Sequence, residues 1–208
     1  MDDLRVLSAG EPLEQATAAI VMVHGRGASA EDILLLSQEL ATPGFAYLAP
    51  QAPGNSWYPN RYSAPIEGNE PWLSRSLEII EAVVAGAEAH LPPERIVLLG
   101  FSQGACLTLE YAARHARRYG GIAGLSGAFI GPRGTPRDYP GSFDGTPAFL
   151  GCSDTDLHVI ADDVVAAAEA LQRMGAEVTL RLYPLLGHTI NADEVAEVQR
   201  IMAALVPA

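Results

Sequence analysis

Short apolar runs alternate with longer amphipathic segments along most of the chain, and this alternation predicts its strands and helices. Apolar runs rich in β-branched and aromatic residues predict strands over residues 20–23, 45–49, 95–99, 121–125, 147–150 and 178–183. Apolar positions at helical spacing predict helices over residues 33–40, 73–90, 105–116 and 160–174, with a last helix from Ala192. Ser29 followed by Asp32 resembles a capping box, so we expect the first helix to begin there.

The regular exchange of strands and helices indicates an α/β fold. Parallel strands joined by right-handed helical crossovers give a doubly wound, mostly parallel sheet flanked by helices. We therefore expect a single domain over residues 1–208, with no large cap domain. Residues 50–72 and 131–145 are rich in proline, glycine or aromatic residues and lack a clear period, which is typical of functional loops.

Composition and charge narrow the range of partners. The chain has 208 residues, of which 49% are hydrophobic and 18% charged, a globular profile. Its 25 acidic residues exceed its 13 basic ones and give a formal charge of -12, which disfavours nucleic acid and anionic lipid surfaces. No apolar run suits a membrane span and residues 1–5 do not resemble a signal peptide, so we expect no membrane insertion and a cytoplasmic location. Cys106 and Cys152, both in apolar surroundings, are expected to be reduced and buried.

The strongest candidate for chemistry is the pentapeptide Gly100-Phe101-Ser102-Gln103-Gly104. The bare pattern Gly-x-Ser-x-Gly arises by chance in about one chain in ten of this length. Here it follows a predicted strand and precedes a predicted helix, the setting of a nucleophile elbow. A serine on such a strained turn needs small neighbours two residues away, and both are glycine. The sequence therefore predicts Ser102 as a nucleophile; the alternative is a glycine-lined turn with an idle serine.

A serine nucleophile needs a histidine base that a carboxylate orients. In this class of elbow the chain order is serine, acid, histidine, and His188 follows a late predicted strand as that order requires. The other histidines fit the role of the base less well. His90 and His115 lie at predicted helix ends, and His24 precedes the serine. His158 is too close in sequence to the candidate acids to act from across the site. That loop, residues 151–159, offers both Asp154 and Asp156, and the residues alone leave the choice between them open.

Two backbone amides should bind the oxyanion that forms during attack. We assign one to Gln103, which follows the serine, and the other to Arg26 in His24-Gly25-Arg26-Gly27, which follows an early strand. This loop lacks the third glycine of a dinucleotide-binding fingerprint, which disfavours phosphate binding.

Several motifs spread from about Ile20 onward share the pattern of one known family. They are His24-Gly25-Arg26-Gly27, Ala49-Pro50-Gln51-Ala52-Pro53, Asn55-Ser56-Trp57-Tyr58-Pro59, Gly100-Phe101-Ser102-Gln103-Gly104, residues 151–159 and Gly187-His188-Thr189-Ile190. Together they resemble the phospholipase/carboxylesterase family of α/β-hydrolases, which includes the acyl-protein thioesterases. The resemblance implies a serine carboxylesterase that hydrolyses small-to-medium acyl esters through a Ser-His-Asp triad, without cofactor or metal, and often as a homodimer.

The resemblance also bears on individual residues. The family's acid loop commonly reads Asp-Pro-x-Val-Pro, which aligns its catalytic aspartate with Asp156 rather than Asp154, although both prolines are replaced here. Relatives often carry an apolar residue at the position of Arg26, so an inward-facing Arg26 side chain would favour a substrate with a carboxylate or phosphate. Trp57 and Tyr58 are expected to line an acyl or alcohol pocket; the alternative is that they only pack the 50–72 segment onto the core.

Other functions remain open at this point. Thioesters and lysophospholipids would suit the same triad as carboxylic esters. The sequence Asp154-x-Asp156-x-His158 resembles a cluster of hard metal ligands, which a metal-dependent hydrolase would use. A non-catalytic binding module on the same scaffold is a further alternative, because a fold does not guarantee chemistry.

Overall fold

A computed structural model describes residues 4–206 and contains a seven-stranded sheet. The strands are β1 (Val6–Gly10), β2 (Ala18–Val23), β3 (Phe45–Pro50), β4 (Ile96–Phe101), β5 (Gly121–Leu125), β6 (Pro147–Ser153) and β7 (Glu177–Tyr183). Their order across the sheet is β1-β3-β2-β4-β5-β6-β7. Every neighbouring pair is parallel except β1 and β3. The doubly wound, mostly parallel sheet predicted from the sequence is therefore confirmed.

Strand β1 is the one strand that the apolar pattern does not reveal. It pairs antiparallel with β3, with Leu7 opposite Ala49, and forms an edge of the sheet. Its residues are partly buried or exposed, whereas every residue of β2 and β3 is buried. An edge strand with an exposed side needs no continuous apolar run, so periodicity alone gives it little signal.

Six α-helices are present in residues 4–206. They are α1 (Ala30–Leu34), α2 (Leu36–Glu39), α3 (Trp72–Glu88), α4 (Gln103–Arg114), α5 (Ala161–Arg173) and α6 (Ala192–Ala203). The single helix predicted over residues 33–40 is instead two short helices that meet at Leu35. The first, α1, begins with the expected capping box. Ser29 Oγ accepts from the Asp32 amide, and Asp32 Oδ2 accepts from the Ser29 amide. The other predicted helices agree with the structure to within about two residues, the usual uncertainty of helix ends.

The sheet is buried on both faces, as parallel sheets usually are. Apolar residues of α3, α4 and α5 pack on one face, α3 and α4 next to β2 and α5 next to β6 and β7. Residues of α1 and α6 pack on the other face, α1 next to β2 and β3 and α6 next to β5 and β6. Cys106 and Cys152 are free and buried in the first of these cores, as expected.

The segments without a predicted period remain mostly irregular. Residues 50–72 contain only the end of β3, two short 3-10 turns at Pro53–Asn55 and Ile66–Asn69, and the first residue of α3. No cap domain covers the carboxyl edge of the sheet in residues 4–206. Within the same residues, no helix is long and apolar enough to cross a membrane.

Candidate active site

The candidate residues meet at the carboxyl edge of the sheet. Ser102 follows β4, Asp156 follows β6, His188 follows β7, and the loop with Arg26 follows β2. Because these four strands are parallel, the loops after them open on the same edge, which is where ligands bind in open α/β sheets.

Ser102 lies on a strained turn between β4 and α4. Its backbone has φ 56° and ψ −121°, a conformation that L-residues rarely adopt. A Cβ atom on Gly100 would lie 2.4 Å from the Gly104 carbonyl oxygen, and one on Gly104 would lie 2.1 Å from the Val23 carbonyl oxygen. Only glycine fits at either position, so the requirement for small neighbours inferred from the sequence has a direct steric cause.

A chain of two short hydrogen bonds joins Ser102, His188 and Asp156. Ser102 Oγ lies 2.8 Å from His188 Nε2, and His188 Nδ1 lies 2.6 Å from Asp156 Oδ2. An ionised carboxylate can only accept, so Nδ1 carries the proton and donates to Asp156. Nε2 is then free to accept the proton of the Ser102 hydroxyl.

Asp156 is held in its ionised form. Burial by itself would raise the pKa of its carboxyl group, but hydrogen bonds from His188 and from two backbone amides outweigh it and lower the pKa. The amides are those of His158, at 2.7 Å, and Val159, at 3.0 Å, both bound to Oδ1. One oxygen is thus fixed by the acid loop, and the other is directed at His188.

Asp154, the alternative acid, has a different contact. Its Oδ1 accepts from the Leu185 amide at 2.9 Å, and the residue is exposed. It therefore ties the loop after β6 to the loop after β7. The structure places Asp156 rather than Asp154 against the histidine, in the register that the family resemblance favours.

The His188 ring is enclosed by two other rings. Its centroid lies 5.0 Å from that of Phe101 and 4.6 Å from that of His158. Both pairs are tilted, and packing against two rings restricts rotation of the imidazole. The sequence does not favour His158 as the base, yet its ring packs on His188 and its backbone amide donates a hydrogen bond to Asp156.

Two backbone amides are available beside Ser102. Within residues 4–206, neither the Arg26 nor the Gln103 amide donates to another protein group. The loop that carries Arg26 passes close to the serine, because a Cβ atom on Gly25 would lie 3.3 Å from Ser102 Cβ. Gln103 is the first residue of α4, where amides lack helical partners and the helix dipole favours negative charge.

The side chain of Gln103 has a role that the sequence does not reveal. It is buried, accepts from the Trp57 amide at 3.0 Å and donates to the Tyr58 carbonyl at 2.7 Å. It therefore attaches the 50–72 segment to the turn that carries Ser102. Residue periodicity does not predict these contacts, because they join residues more than forty positions apart. The only sequence signal is the residue type itself: a glutamine, with both a donor and an acceptor, directly after Ser102.

His24 is a buried structural residue. Its Nδ1 donates to the Gly25 carbonyl at 2.8 Å, and its Nε2 accepts from the Ala52 amide at 3.1 Å. These contacts fix a neutral ring, and burial lowers its pKa accordingly. His24 thus holds the loop of the Arg26 amide against the end of β3.

A cleft of about 580 Å³ opens above Ser102. Its lining residues are Arg26, Tyr58, Pro59, Asn60, Arg61, Tyr62, Ser102, Gln103, Cys106, His158, Val159 and His188. Burial raises the pKa of the Cys106 thiol to about 12, so this thiol stays protonated and unreactive.

The structure separates the two aromatic residues expected to line the pocket. Tyr58 contributes to the cleft wall, but Trp57 does not. Trp57 is buried behind the wall, where its indole nitrogen donates to the His24 carbonyl at 2.8 Å and its ring packs on His24. The expectation for Trp57 is corrected for this reason: the indole has both a hydrogen-bond partner and a packing partner inside the core.

The Asp154-x-Asp156-x-His158 pattern does not form a ligand cluster. Its first carboxylate contacts the Leu185 amide, its second contacts His188, and the His158 ring packs on the His188 ring. Within residues 4–206, no three His, Cys, Asp or Glu side chains lie together as a metal site would need. The pattern that resembled hard metal ligands in the sequence is therefore dispersed by the fold.

The sheet topology, the strained turn after β4 and the uncovered edge define an α/β-hydrolase without a large cap. Comparison with known proteins makes this more specific. The model of the Phospholipase/Carboxylesterase family matches residues 4–206, so the chain belongs to that family. It is a carboxylic ester hydrolase.

Individual relatives are consistent with the family. The chain is similar to the crystal structure of a phospholipase/carboxylesterase from Dyadobacter fermentans, at 41% identity, with 97% of each chain covered and a TM-score of 0.93. It is 27% identical to acyl-protein thioesterase 1 of Aspergillus fumigatus, over 94% of this chain and 90% of the relative. It is 26% identical to carboxylesterase SOBER1 of Arabidopsis thaliana, over 88% and 89% respectively.

Proposed function

We propose that the protein hydrolyses small-to-medium acyl esters through an acyl-enzyme formed on Ser102. The observation that supports this most is the pair of hydrogen bonds of 2.8 Å and 2.6 Å that link Ser102, His188 and Asp156. His188 takes the hydroxyl proton of Ser102 as its Oγ attacks the ester carbonyl carbon. Asp156 stabilises the imidazolium that results.

The remaining steps follow from the same groups. The amides of Gln103 and Arg26 donate to the oxyanion of the tetrahedral intermediate. His188 then gives its proton to the leaving alcohol oxygen, and the C–O bond breaks to leave the acyl group on Ser102. Water, deprotonated by His188, attacks that acyl group and releases the carboxylic acid.

The size of the substrate is inferred from the cleft. A volume of about 580 Å³ beside Ser102, open and without a cap domain, suits a small or medium acyl chain.

Relatives named acyl-protein thioesterases make thioesters the second substrate class to test. Rates on a chain-length series of p-nitrophenyl esters and matching acyl thioesters would rank the two. A homodimer and a cytoplasmic location stay predictions.

Replacing Ser102 tests the proposal. We expect Ser102→Ala to lose nearly all p-nitrophenyl acetate hydrolysis, on the order of a thousandfold or more, and to lose labelling by a fluorophosphonate probe. A matched control is Ser126→Ala. Ser126 also has a positive φ, of 53°, but its hydroxyl is buried and lacks a hydrogen-bond partner within the described chain.

The two variants together separate the outcomes. The control should keep its activity and its labelling, which shows that losing a strained serine hydroxyl does not by itself inactivate the protein. Full activity in folded Ser102→Ala would refute the assignment. A wild-type protein that the probe does not label would instead favour a non-catalytic binding module.

A further inference from the structure

The charge of the cleft is opposite to that of the protein as a whole. The chain has 25 acidic residues against 13 basic ones, and every basic one is an arginine. The described residues that line the cleft include Arg26 and Arg61 but no aspartate or glutamate. A cationic cleft in so acidic a protein is a local feature that composition does not predict.

The carboxylates nearest to the cleft do not cancel this charge. Asp156 is buried and takes up its hydrogen bonds with His188 and two amides. Asp163 lies beyond the Tyr62 hydroxyl, at 2.7 Å from it, and pairs with Arg133 at 2.6 Å. Glu110, behind Cys106, is buried and pairs with Arg114 at 2.8 Å. The charges of Asp163 and Glu110 are balanced by arginines, and the Asp156 charge is buried and held by hydrogen bonds, so none of the three lines the cleft.

Arg61 is free to bind a ligand. Eight arginines of the described chain pair with carboxylates: Arg5, Arg114, Arg117, Arg133, Arg137, Arg173, Arg181 and Arg200. Arg61 is exposed and, within residues 4–206, makes one side-chain hydrogen bond, of 3.3 Å from Nη2 to the Leu157 carbonyl. Most of the five donors of its guanidinium group therefore remain available.

Arg26 supplies a second, fixed charge. Its Nη1 donates to the Pro59 carbonyl at 2.8 Å, and its Nη2 donates to the Asn60 carbonyl. Its guanidinium carbon lies 5.9 Å from the centroid of the Tyr58 ring. These contacts hold the charge at the cleft wall and neutralise none of it, because both acceptors are main-chain carbonyls.

We propose that this cleft selects esters that carry an anionic group, a carboxylate or a phosphate, with Arg61 as its direct contact and Arg26 as a fixed neighbouring charge. A guanidinium group pairs with such anions through two parallel hydrogen bonds. The walls of a cleft also concentrate the field of its charges, which raises the local concentration of an anionic substrate. The proposal rests on ester hydrolysis at Ser102, and it names the substrate class of that site.

The anion could belong to either half of the ester, and two pairs of substrates distinguish the halves. For the acyl half, p-nitrophenyl hydrogen adipate is compared with p-nitrophenyl hexanoate, which has the same number of acyl carbons. For the alcohol half, 4-acetoxybenzoate is compared with its methyl ester. For each pair, kcat/KM of the anionic ester is divided by that of the neutral one, after subtraction of spontaneous hydrolysis.

The ratio is measured in wild-type protein and in three variants. Arg61→Gln should lower it about tenfold in one of the two pairs, the size of one hydrogen bond between charged groups. Arg61→Lys should give a ratio between those of wild type and Arg61→Gln, because it keeps the charge but loses the paired hydrogen bonds. Arg118→Gln is the matched control: Arg118 is exposed and donates to the carbonyl of Asp144, but it precedes β5 at the opposite edge of the sheet. It should leave the ratio unchanged.

Salt gives an independent measurement on the unmodified protein. At about 1 M NaCl, where the screening length is about 3 Å, the wild-type ratio should fall towards that of Arg61→Gln. A lower ratio of kcat/KM values in the adipate pair assigns the anion to the acyl half of the ester. A lower ratio in the benzoate pair assigns it to the alcohol half. Ratios that neither the substitution nor salt changes in either pair would overturn the proposal. Failure of ester hydrolysis itself would appear separately, as activity retained in Ser102→Ala.

Discussion

The carboxyl edge of the sheet and the cleft wall are built in different ways. At the edge, the loops after β4, β6 and β7 hold Ser102, Asp156 and His188. The turn after β4 is packed so tightly that a Cβ atom on Gly104 would collide with the Val23 carbonyl oxygen. The wall is formed largely by part of the 50–72 segment, which has hardly any regular structure and is attached in large part by side chains.

Side chains make many of the attachments of the wall. Gln103 binds the main chain of Trp57 and Tyr58, Arg26 binds the carbonyls after Tyr58, and Ser76 Oγ donates to the Trp57 carbonyl at 2.6 Å. Main-chain hydrogen bonds to neighbouring loops add to them. The reacting groups are thus positioned by turns of the sheet edge, whereas the substrate surface depends largely on side-chain hydrogen bonds. Substitutions at the edge should therefore change turnover, and substitutions that affect the wall should change KM and stability.

The largest effect is expected from Asp156→Asn, at the edge. An asparagine can no longer hold the proton on His188 Nδ1, so Nε2 loses its ability to accept from Ser102. We expect kcat on p-nitrophenyl acetate to fall about 1000- to 10,000-fold, with KM little changed. Steady-state kinetics on the purified variant would measure this.

Asp154→Asn, two residues away, provides the matched control. It changes the same chemical group, but its contact is the Leu185 amide, which an amide oxygen can still accept from. We expect less than about a fivefold loss of kcat, the size of a partly weakened hydrogen bond. Equal losses in the two variants would contradict the assignment of Asp156 as the acid.

A smaller effect is expected from Gln103→Ala, at the junction of edge and wall. The substitution leaves the Trp57 amide without a partner inside the protein and the Tyr58 carbonyl with only the Ser56 hydroxyl, at 3.1 Å. It should lower the free energy of unfolding by about 1–3 kcal/mol. The loosened wall should raise KM more than it lowers kcat, because the amide of residue 103 and the elbow remain. Denaturant unfolding and kinetics on one preparation would measure both.

Gln199→Ala serves as its control. That glutamine is exposed and donates to one main-chain carbonyl, of Glu39, at 2.7 Å. Its loss should cost about 0.5 kcal/mol or less, the usual range for a surface substitution, and leave KM unchanged. A Gln103→Ala protein as stable as this control would show that the wall does not depend on the Gln103 side chain.

The smallest effect concerns Glu194, which lies beneath the edge. Glu194 is fully buried, and its Oε2 accepts from the Asn191 amide at 2.9 Å, but its Oε1 has no partner within the described residues. Burial is the main cause that raises the pKa of its carboxyl group to about 7, and the Asp193 charge adds to it.

The sign of the pH effect follows from this pKa. In the unfolded chain Glu194 loses its proton at lower pH, near its ordinary value, so the free energy of unfolding falls as pH rises from about 4.5 to about 7 and then levels off. Glu194→Gln removes this loss. We expect the variant to be about 2 kcal/mol more stable than wild type at pH 8 and close to wild type at pH 4.5.

Denaturant unfolding across that pH range would check the prediction. Glu78→Gln, on the exposed side of α3, removes the same charge from solvent and should track wild type at every pH. A Glu194→Gln curve parallel to that of wild type would mean that Glu194 is ionised in the folded protein without penalty.

Much of this architecture was accessible from the sequence. Buried strands and amphipathic helices reveal themselves through residue periodicity, which reports the local backbone and its burial. The elbow around Ser102 was identifiable because a strained turn between a strand and a helix requires glycine on both sides. His188 followed from chain order, since parallel strands bring successive loops to one edge.

Other features depended on contacts between distant segments. Asp154 and Asp156 occupy the same loop, and the residues alone did not separate them; the family resemblance favoured Asp156. Their contacts differ because the loop after β7 brings Leu185 to one carboxylate and His188 to the other. Strand β1 escaped detection because an edge strand need not be apolar.

The sequence by itself determined the order of the buried strands and the helices along the chain and the serine at the turn after β4, because both follow from local backbone and burial requirements. Only the tertiary structure decided that Trp57 is buried behind the wall and that Arg26 and Arg61 converge on a cleft without carboxylates. Those arrangements arise where loops from distant strands meet, and a local pattern carries no information about which side chains will meet there.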